Sequence, residues 1–474
     1  MIRIECKDAL YTYDMFHITK AFFPNEEIKQ QVKESQEPLI LMELQSGSFC
    51  VACEEVEKQE LPREKKHYVN QKLYRWLCEH TGKQMAWGIL TGIRPTKILM
   101  NQLEKGMSES EAVQWMQDRY FVSEGKAKLS LAIAKREKSL LDQLDYQDGF
   151  SLYVGIPFCP SICSYCSFSS SPIHEWEDRV EGYLDALCKE ITFVAGKSKQ
   201  KKLNTIYVGG GTPTTLTAKQ LDRLLTHLEQ SFSYEDMLEV TVEAGRPDSI
   251  TREKLEVLKK HTVTRISINP QTMQQKTLDL IGRHHTVEDI REVYALAREL
   301  GFDNINMDLI AGLPEESVAD MTDTLTQICN MKPDSLTIHS LAIKRTAKLG
   351  QEQTEILHAE ELEKMISLGA KAAADMELFP YYLYRQKNIA GNFENVGYAK
   401  VDKAGIYNIL IMEEKQSIIA VGAGASTKIV LPHRVKLENK RETNIIRIEN
   451  VKDITEYITR IDEMIERKGE WLWH

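Results

Sequence analysis

The sequence has no run of about 18 uninterrupted apolar residues, the length that a transmembrane helix needs. Its first residues, Met1 to Asp8, lack the apolar region of a signal peptide. An excess of basic charge is also absent, since 70 Asp and Glu residues outnumber 60 Lys and Arg residues. Binding to nucleic-acid backbones depends on clustered Lys and Arg. We therefore expect a soluble cytoplasmic protein without a membrane span and without a nucleic-acid partner.

Low-complexity tracts are absent as well, and 42% of the 474 residues are hydrophobic while 27% are charged. This composition is typical of globular proteins and excludes disordered and fibrous classes. The length predicts two or three domains. The nine cysteines are an odd number and are scattered apart from one tight triplet, so we expect no disulfide framework in a reducing compartment.

From about residue 151, short β-rich runs alternate with helix-length segments, which is typical of βα units that build a parallel sheet. Six such units predict a partial (β/α)6 barrel, since a full eight-unit barrel needs roughly 250 residues. An open doubly wound sheet is the structural alternative. The predicted strands are Leu152 to Phe158, Thr205 to Val208, Leu238 to Glu243, Arg265 to Asn269, Asn304 to Ile310 and Ser335 to Ser340.

The regions on either side of the barrel follow other patterns. Pro38 to Leu44 and Phe49 to Glu55 flank a turn-forming segment and predict a hairpin. Helical periodicity then continues to about Leu144, and a final amphipathic helix is predicted from Ile454 to Arg467. We divide the chain into an N-terminal α+β accessory domain (1–145), the partial barrel (146–378) and a C-terminal region that closes over the substrate (379–474).

The strongest chemical signal is the CxxxCxxC segment Cys159-Pro160-Ser161-Ile162-Cys163-Ser164-Tyr165-Cys166, directly after the first predicted strand. Three thiolates on one short loop can hold three irons of a four-iron cluster, which leaves the fourth iron open to another ligand. A zinc site that uses the triplet and His174 is an alternative, although structural zinc sites usually contain paired CxxC or CxxC/HxxxH knuckles. A chance cluster of buried cysteines is the other alternative.

Further polar and small residues follow other predicted strands. Gly209-Gly210-Gly211-Thr212-Pro213-Thr214 follows the second strand, and glycines there allow backbone amides to approach a ligand closely. Glu243 ends the third strand, Gln271 follows the fourth, and Asp308 lies in the fifth. Since chemistry collects at the carboxyl ends of parallel strands, we expect these residues to share one mouth with the cysteine loop.

These features together resemble the radical S-adenosylmethionine (radical SAM) enzymes, of which CxxxCxxC with an aromatic residue before the third cysteine is the hallmark. Tyr153 to Cys159, the Gly-Gly-Gly-Thr-Pro-Thr segment and Asp308 to Pro314 resemble the oxygen-independent coproporphyrinogen III oxidase family. Leu90 to Thr96 and Glu243 to Asp248 are most similar to its HemZ-like branch. The resemblance extends from about residue 151 to 430.

The resemblance implies specific roles for individual residues. Three cysteines would bind a [4Fe-4S] cluster as its metal ligands: Cys159, Cys163 and Cys166. Residues at positions where the family contacts S-adenosylmethionine (SAM) are Tyr153, Tyr165, Gly210, Gly211, Thr212, Glu243, Gln271, Arg283, Asp308 and Ala342. Of these, Tyr153 and Arg283 would also act in catalysis. From the residues alone, an exposed charge on a helix is the preferred interpretation of Arg283.

The family resemblance also implies the reaction. One-electron reduction of the cluster cleaves SAM to methionine and a 5′-deoxyadenosyl radical, which abstracts hydrogen from a propionate side chain of coproporphyrinogen III. Loss of carbon dioxide from two propionates then gives protoporphyrinogen IX in haem biosynthesis. A flavodoxin or a ferredoxin would supply electrons, and a further electron acceptor is required.

The sequence departs from the decarboxylating members at three places. Those members have another cysteine two residues after the triplet, where this chain has Phe168, and they have histidine in place of Gly155. They also have Gly-Val where Asn269-Pro270 stand. Related haem chaperones share the Cys-x-Phe ending and bind haem without oxidising coproporphyrinogen. A haem-binding chaperone or transfer protein is therefore the alternative function.

Other candidate residues have both functional and structural interpretations. Cys50-Val51-Ala52-Cys53 forms a CxxC, but it falls in a predicted strand without a second pair, which favours two inert thiols. His284, His285 and His339 are compatible with contacts to haem-like ligands or with ordinary hydrogen bonding. The segment Tyr381 to Arg385 would either line a tetrapyrrole pocket or pack against the barrel.

Overall fold

The computed structural model describes residues 1–92, 94–342, 359–385, 393–436 and 442–473. The chain forms two compact units. The first comprises residues 1–135 together with 357–363 and 383–395, and the second comprises 136–356, 364–382 and 396–474. In the described residues, no helix is both long enough and apolar enough to cross a bilayer.

The N-terminal part of the chain is a small α+β arrangement with a four-stranded sheet in the order β2-β1-β3-β4. Its elements are β1 (Ile2–Cys6), α1 (Thr12–Phe22), β2 (Ile28–Val32), β3 (Ile40–Leu44), β4 (Gly47–Val51), α2 (Cys53–Glu57), α3 (Pro62–Thr81), α4 (Pro95–Glu104), α5 (Glu109–Tyr120) and α6 (Glu124–Leu141). The predicted hairpin is confirmed as β3 and β4, whose antiparallel register pairs Leu44 with Gly47. The strand predicted to continue to Glu55 is wrong in its second half, because α2 begins at Cys53.

The barrel region contains the six predicted strands and the helices between them. They are β5 (Gly149–Ile156), β6 (Phe158–Cys159), β7 (Ser171–Pro172), α7 (Val180–Lys197), β8 (Lys202–Gly210), α8 (Ala218–Ser231), β9 (Glu239–Gly245), α9 (Arg252–Lys260), β10 (Arg265–Ile268), α10 (Gln275–Leu280), α11 (Val287–Glu299), β11 (Ile305–Ala311), α12 (Val318–Met331) and β12 (Ser335–Ser340). Short 3₁₀ turns span Ile173–Glu175, Pro213–Thr215 and Pro247–Ser249.

The C-terminal part adds strands to both sides of these six. Its elements are α13 (Ala359–Asp375), β13 (Phe379–Arg385), β14 (Glu394–Ala399), α14 (Ile406–Glu413), β15 (Ser417–Val421), β16 (Ser426–Lys436), β17 (Glu442–Glu449), α15 (Ile454–Thr459) and α16 (Ile461–Gly469). The single terminal helix predicted from Ile454 to Arg467 is wrong, since the helix is interrupted at Arg460 and continues as α16.

One eleven-stranded sheet, called the central sheet, runs in the order β13-β14-β12-β11-β10-β9-β8-β5-β15-β16-β17. Strands β5, β8, β9, β10, β11 and β12 pair in parallel in this order, as the βα alternation predicts. Strands β6 and β7 form a separate two-stranded sheet. The α/β fold class with consecutive parallel strands is therefore confirmed. Strand β15 extends the parallel part, because Val421 pairs with Val154 of β5.

Local sequence signals explain where several barrel helices begin. Thr217, Thr286 and Ser317 precede α8, α11 and α12, and each side-chain hydroxyl accepts a hydrogen bond from a backbone amide in the first helical turn. In each case the residue three positions later returns a hydrogen bond to the capping residue, which forms a capping box. These caps end the loops that lead away from the strand ends and fix where each helix starts.

Candidate active site

The parallel strands leave one face of the central sheet partly open. Strands β5, β9, β11 and β12 are buried along their lengths except for one half-exposed residue each. These residues are Tyr153, Glu243, Asp308 and His339. Strand pairing places Tyr153 level with Tyr207 of β8, and the registers of the following strands put all five side chains on the same face. They define a mouth near the carboxyl ends of the strands.

The cysteine loop leaves β5 at this end of the sheet. Cys163 is buried, and Cys159 and Cys166 are half-buried. The amide of Ser164 donates to the Ile281 carbonyl oxygen at 3.0 Å, which ties the loop to the segment after α10. Among the described residues, no three His, Cys, Asp or Glu side chains lie close enough together to hold a single metal ion.

Arg246 reaches the cysteine loop from the turn after β9. Its Nη1 atom lies 3.7 Å from Cys163 Sγ and donates to both the carbonyl and hydroxyl oxygens of Ser161 at 2.9 Å. Asp248 holds the other edge of the guanidinium through two hydrogen bonds. Arg246 is only 3% exposed, so its charge acts directly on the sulfur. Our sequence reasoning missed this residue, although a basic residue just after a strand end was the available signal.

The glycine-rich segment begins with the last two residues of β8, Gly209 and Gly210, and packs directly on the cysteine loop. The Gly211 amide donates to the Ile156 carbonyl oxygen, and the Thr212 amide donates to that of Phe158, each at 2.7 Å. A Cβ atom on Gly211 would stand 2.4 Å from the Phe158 carbonyl oxygen, so only glycine fits. The Thr212 hydroxyl lies 3.6 Å from Cys159 Sγ, within hydrogen-bonding distance of sulfur. Gly210 adopts a φ of +107° next to the Tyr153 hydroxyl.

Glu243 is the half-buried carboxylate at the end of β9. Its Oε1 atom accepts a hydrogen bond from the Tyr207 hydroxyl. The pKa of Glu243 is raised to about 7, because burial and the charge of Asp308 outweigh the Tyr207 hydroxyl, the Gly210 amide and Arg265, which lower it. Such a carboxylate gains from a nearby cation, which would favour its ionised form.

Gln271 and Asp308 meet at the neighbouring strands. Gln271 follows β10 with a φ of +68°, and its backbone bridges to β11 through the Asp308 carbonyl oxygen and the Ile310 amide, each at 2.9 Å. The Oε1 atom of Gln271 is buried without a hydrogen-bond partner in the described part of the chain. Burial would raise the pKa of Asp308, but His339, Asn306 and Thr337 outweigh it and hold the pKa below its usual range. Asp308 is therefore ionised at the mouth.

Arg283 lies beneath the cysteine loop rather than on a helix surface. It follows α10, is 4% exposed, and donates through Nη1 to the Asn269 carbonyl oxygen. Burial would lower the pKa of its guanidinium, yet the Tyr165 hydroxyl and the Cys163 thiol raise it above the ordinary value. The interpretation of Arg283 as an exposed helix charge is therefore wrong. The structure brings it together with Tyr165 and Cys163, as a site role requires.

The remaining predicted contacts lie at the far side of the mouth. Ala342 is half-buried just after β12 and is the last residue described before the gap at 343–358. The Nε2 atom of His339 lies 3.7 Å from the Oδ2 atom of Asp308.

The two histidines after Arg283 differ in exposure. His285 is buried, and burial together with the charge of Arg283 lowers its pKa to about 4, whereas His284 is exposed.

Two other candidate groups lie outside the mouth. The Tyr381 ring is fully buried, and its hydroxyl accepts a hydrogen bond from Asn408 at 3.1 Å, which agrees with packing. The Arg385 guanidinium is 3% exposed and donates to the Leu90 carbonyl oxygen at 2.6 Å. This burial and the hydrogen bond from its Nη1 atom favour packing over a role for Arg385 in pairing substrate carboxylates.

The residues at the mouth fit an iron-sulfur cluster and a polar ligand beside it. Three thiols on one loop have Arg246 and Thr212 as donors to sulfur, and such donors stabilise the negative charge of cluster thiolates. Buried polar atoms near the loop that have no hydrogen-bond partner among the described residues are Ser164 Oγ, Ser267 Oγ, Asn269 Oδ1, Gln271 Oε1 and Arg283 Nε. Buried polar atoms are normally paired, so this group is suited to a ligand.

Comparisons with known proteins agree with this site. A family model described as the radical SAM superfamily matches residues 153–328. The oxygen-independent coproporphyrinogen-III oxidase-like protein HemZ of Bacillus subtilis (strain 168) is 42% identical over 403 residues, covering 84% of this chain and 79% of the relative. The heme chaperone HemW of the same strain is 33% identical over 242 residues, covering 51% of this chain and 63% of the relative.

Among solved structures, the coproporphyrinogen III oxidase HemN from Escherichia coli is similar in fold, with a TM-score of 0.54, 22% identity and coverage of 72% of this chain and 73% of that one. The cofactors of the radical SAM family are a [4Fe-4S] cluster and SAM, and this chain shares them. The length and identity of the match with HemZ place the whole barrel and most of the flanking regions in one family. The chain therefore belongs to the HemZ-like branch of the radical SAM coproporphyrinogen oxidase family.

Proposed function

We propose that this protein oxidises coproporphyrinogen III to protoporphyrinogen IX without oxygen, in the pathway to haem. The observation that carries the proposal is the 42% identity to the oxidase-like relative over 84% of this chain. The proposal is also supported by the half-exposed polar residues near the carboxyl ends of the parallel strands, next to the CxxxCxxC loop. The electrons would come from a flavodoxin or a ferredoxin.

When bound, the reduced cluster and SAM supply a 5′-deoxyadenosyl radical, and each of two propionates then loses a hydrogen atom, an electron and carbon dioxide to become vinyl. Cys159, Cys163 and Cys166 would hold the cluster, and Arg246 would offset the negative charge at Cys163. Glu243, Gln271 and Asp308 would bind the polar groups of SAM. An unidentified acceptor takes the remaining electron from each propionate.

Haem binding is the second candidate function, and one side chain favours it. Phe168 stands two residues after the third cysteine, and its side chain is 74% exposed. An aromatic ring in this position is suited to stacking on a planar macrocycle. The 33% identity to a heme chaperone over half of this chain supports the same candidate.

The end of β5 also bears on this choice. A Cβ atom on Gly155 would stand 3.3 Å from the Val421 carbonyl oxygen and 3.8 Å from Gly422 Cα. The decarboxylating members have histidine at this position, but here the end of β15 occupies the adjacent space. The chain would therefore need to handle its substrate without an imidazole at position 155.

The test is an anaerobic incubation of the reconstituted protein with SAM, a strong reductant and coproporphyrinogen III. Chromatography follows the porphyrin products and 5′-deoxyadenosine. Protoporphyrinogen that appears with one 5′-deoxyadenosine per vinyl group formed supports oxidation. If SAM is cleaved without decarboxylation and haem binds tightly, the chaperone function takes its place, and a Phe168→Ser variant should then lose haem affinity.

A further inference from the structure

Tyr207 is a tyrosine at the mouth that neither the cysteine motif nor the glycine-rich segment explains. It is the half-exposed residue in the middle of β8, level with Tyr153 on β5. The two rings are nearly parallel, with centroids 6.2 Å apart and an angle of 14°. The Tyr207 hydroxyl donates to Oε1 of Glu243. The phenol thus occupies one oxygen of the carboxylate.

A second ring also packs against Tyr207. Tyr407, in the first turn of α14, stacks on Tyr207 with centroids 4.5 Å apart and an angle of 23°. The buried Glu239 carboxylate accepts hydrogen bonds from the Ile406 and Tyr407 amides at 2.7 and 3.3 Å. An acidic group at a helix N-terminus stabilises that end of the helix. The centroids of Tyr153 and Tyr407 are themselves 6.4 Å apart, so the three rings form a triangular cluster. Tyr207 is therefore packed against two rings whose own positions are set by a strand and by a capped helix.

Gly209 defines the space at the other carboxylate oxygen. A Cβ atom at this position would stand 2.8 Å from Glu243 Oε2 and 2.8 Å from Tyr207 Cε1. The absence of a side chain at position 209 thus allows Glu243 to lie close to β8. Tyr207 and Gly209 together determine where the Glu243 carboxylate stands.

We propose that Tyr207, packed against Tyr153 and Tyr407, is a positioning residue that orients the Glu243 carboxylate for an N–H donor of SAM. A carboxylate with one oxygen bound to a phenol keeps the other oxygen for an N–H donor. The proposal rests on the assignment of Glu243 as a SAM ligand, and it does not depend on which tetrapyrrole the protein handles.

The electrostatic surroundings of Glu243 give the proposal a pH signature. The groups that face this carboxylate are Tyr207 and the Gly210 amide on β8, Tyr153 on β5, Arg265 on β10, Asp308 on β11 and Tyr407 on α14. Burial raises the pKa of Glu243, and the Tyr207 hydroxyl lowers it. Loss of that hydroxyl should raise the pKa of Glu243 further, so SAM affinity should fall more at pH 6.5 than at pH 8.5.

The experiment measures the dissociation constant of SAM for the cluster-loaded protein by anaerobic equilibrium dialysis from pH 6.5 to 8.5, without any tetrapyrrole. Tyr207→Phe should weaken binding about tenfold at pH 7, as expected for a hydrogen bond to a charged group. In a Glu243→Gln background the same substitution should have little further effect, because the two residues act as one unit. Equal effects of Tyr207→Phe in both backgrounds would overturn the proposal.

Two controls separate positioning from general stability. Tyr457→Phe removes another buried tyrosine-to-glutamate hydrogen bond, from Tyr457 to Glu190 at 2.6 Å, and should leave SAM affinity unchanged. Tyr407→Phe keeps the stacked ring and should also bind SAM normally, whereas Tyr407→Ala should weaken binding as Tyr207→Phe does. The Tyr407 pair also replaces Tyr207→Phe if that variant loads iron poorly.

The outcomes also distinguish this proposal from the proposed oxidation. If Glu243→Gln itself leaves SAM affinity unchanged, the positioning role of Tyr207 is wrong, and oxidation of coproporphyrinogen is unaffected. If no porphyrin product forms but the double-variant cycle shows coupling, the positioning role stands and the oxidase function fails.

Discussion

Two glutamates of the second compact unit accept hydrogen bonds from tyrosine, but one is fully paired and the other is not. Glu190 on α7 is fully buried and accepts from the Gly422 amide, Tyr457, Asn450 and Lys468, at distances from 2.6 to 2.9 Å. Glu243 is half-exposed and accepts from Tyr207 and the Gly210 amide. A fully satisfied carboxylate paired with a buried cation serves the fold. A carboxylate with capacity left at the edge of a cavity is suited to a ligand.

The same contrast holds for the regions around the two residues. The C-terminal core around Glu190 joins α7 to the end of β15, to Asn450 after β17 and to Lys468 on α16. The mouth around Glu243 instead contains several buried polar atoms without partners among the described residues. Buried polar groups that are not paired lower the stability of the folded protein. A ligand that pairs with the polar atoms of the mouth can therefore raise that stability.

The largest effect should come from removing the sulfur ligands at the mouth. Simultaneous Cys159→Ser, Cys163→Ser and Cys166→Ser changes should lower the iron content of the reconstituted protein from about four per chain to none. Iron and sulfide assays after anaerobic reconstitution measure this. A matched triple variant at Cys50, Cys53 and Cys188 should keep its iron, and retention of iron in the first variant would contradict the assignment.

Substitutions in the core around Glu190 should instead lower the free energy of unfolding. Lys468→Met leaves the Glu190 charge buried without its cation, which should lower the free energy of unfolding by about 3–5 kcal/mol. Urea denaturation measures the loss. The double variant Glu190→Gln with Lys468→Met removes both charges and should recover part of it. A loss below about 1 kcal/mol in the single variant would mean that the pair contributes little.

Gly209→Ala should affect binding more than stability. The new methyl group meets side-chain atoms of Glu243 and Tyr207, which can shift, so we expect a loss of about 1 kcal/mol in unfolding free energy. The displaced carboxylate should weaken SAM binding about tenfold. Gly182→Ala is the control, because that helix position has open space around it, and SAM affinity should not change. Unchanged binding in Gly209→Ala would show that the position of Glu243 is not critical.

The last prediction concerns how the free energy of unfolding depends on pH. The pKa of Glu243 is about 7 in the folded protein and 4.5 in the ordinary case, so the folded state keeps a proton that the unfolded state loses between these values. The stability that this group contributes is present below pH 4.5 and is lost as the pH rises through 7. Its slope is at most about 1.4 kcal/mol per pH unit, and partial exposure makes it smaller. Without SAM, Glu243→Gln should flatten the fall of unfolding free energy between pH 5 and 7, and an unchanged slope would contradict the raised pKa.

The sequence was informative wherever function depends on local order. The βα alternation predicted all six parallel strands, and β12 has the predicted bounds, Ser335–Ser340. The cysteine loop and the glycine-rich segment lie next to each other as strand-end placement predicts. The hydrophobic periodicity of strands and helices and the spacing of short motifs depend on local backbone geometry. Both can therefore be recognised in a single sequence.

The sequence was less informative where distant segments meet. Arg246 lies 83 residues from Cys163 in the chain, and nothing in the spacing indicated their contact. Tyr407 reaches Tyr207 from a helix in the C-terminal part, and Arg283 is buried although a charged residue after a helix suggests exposure. These relations depend on tertiary packing, which overrides local preference. The assignment of individual residues to SAM and the domain boundaries stay predictions.

The pairing of β15 with β5 has a consequence for the timing of biosynthesis. Strand β5 emerges from the ribosome early, but its neighbour β15 emerges only after every other parallel strand of the central sheet has been made. Until then, one backbone edge of β5, which leads directly into the cysteine loop, stays open. We therefore expect the cysteine loop to reach its folded arrangement only after most of the chain has been made.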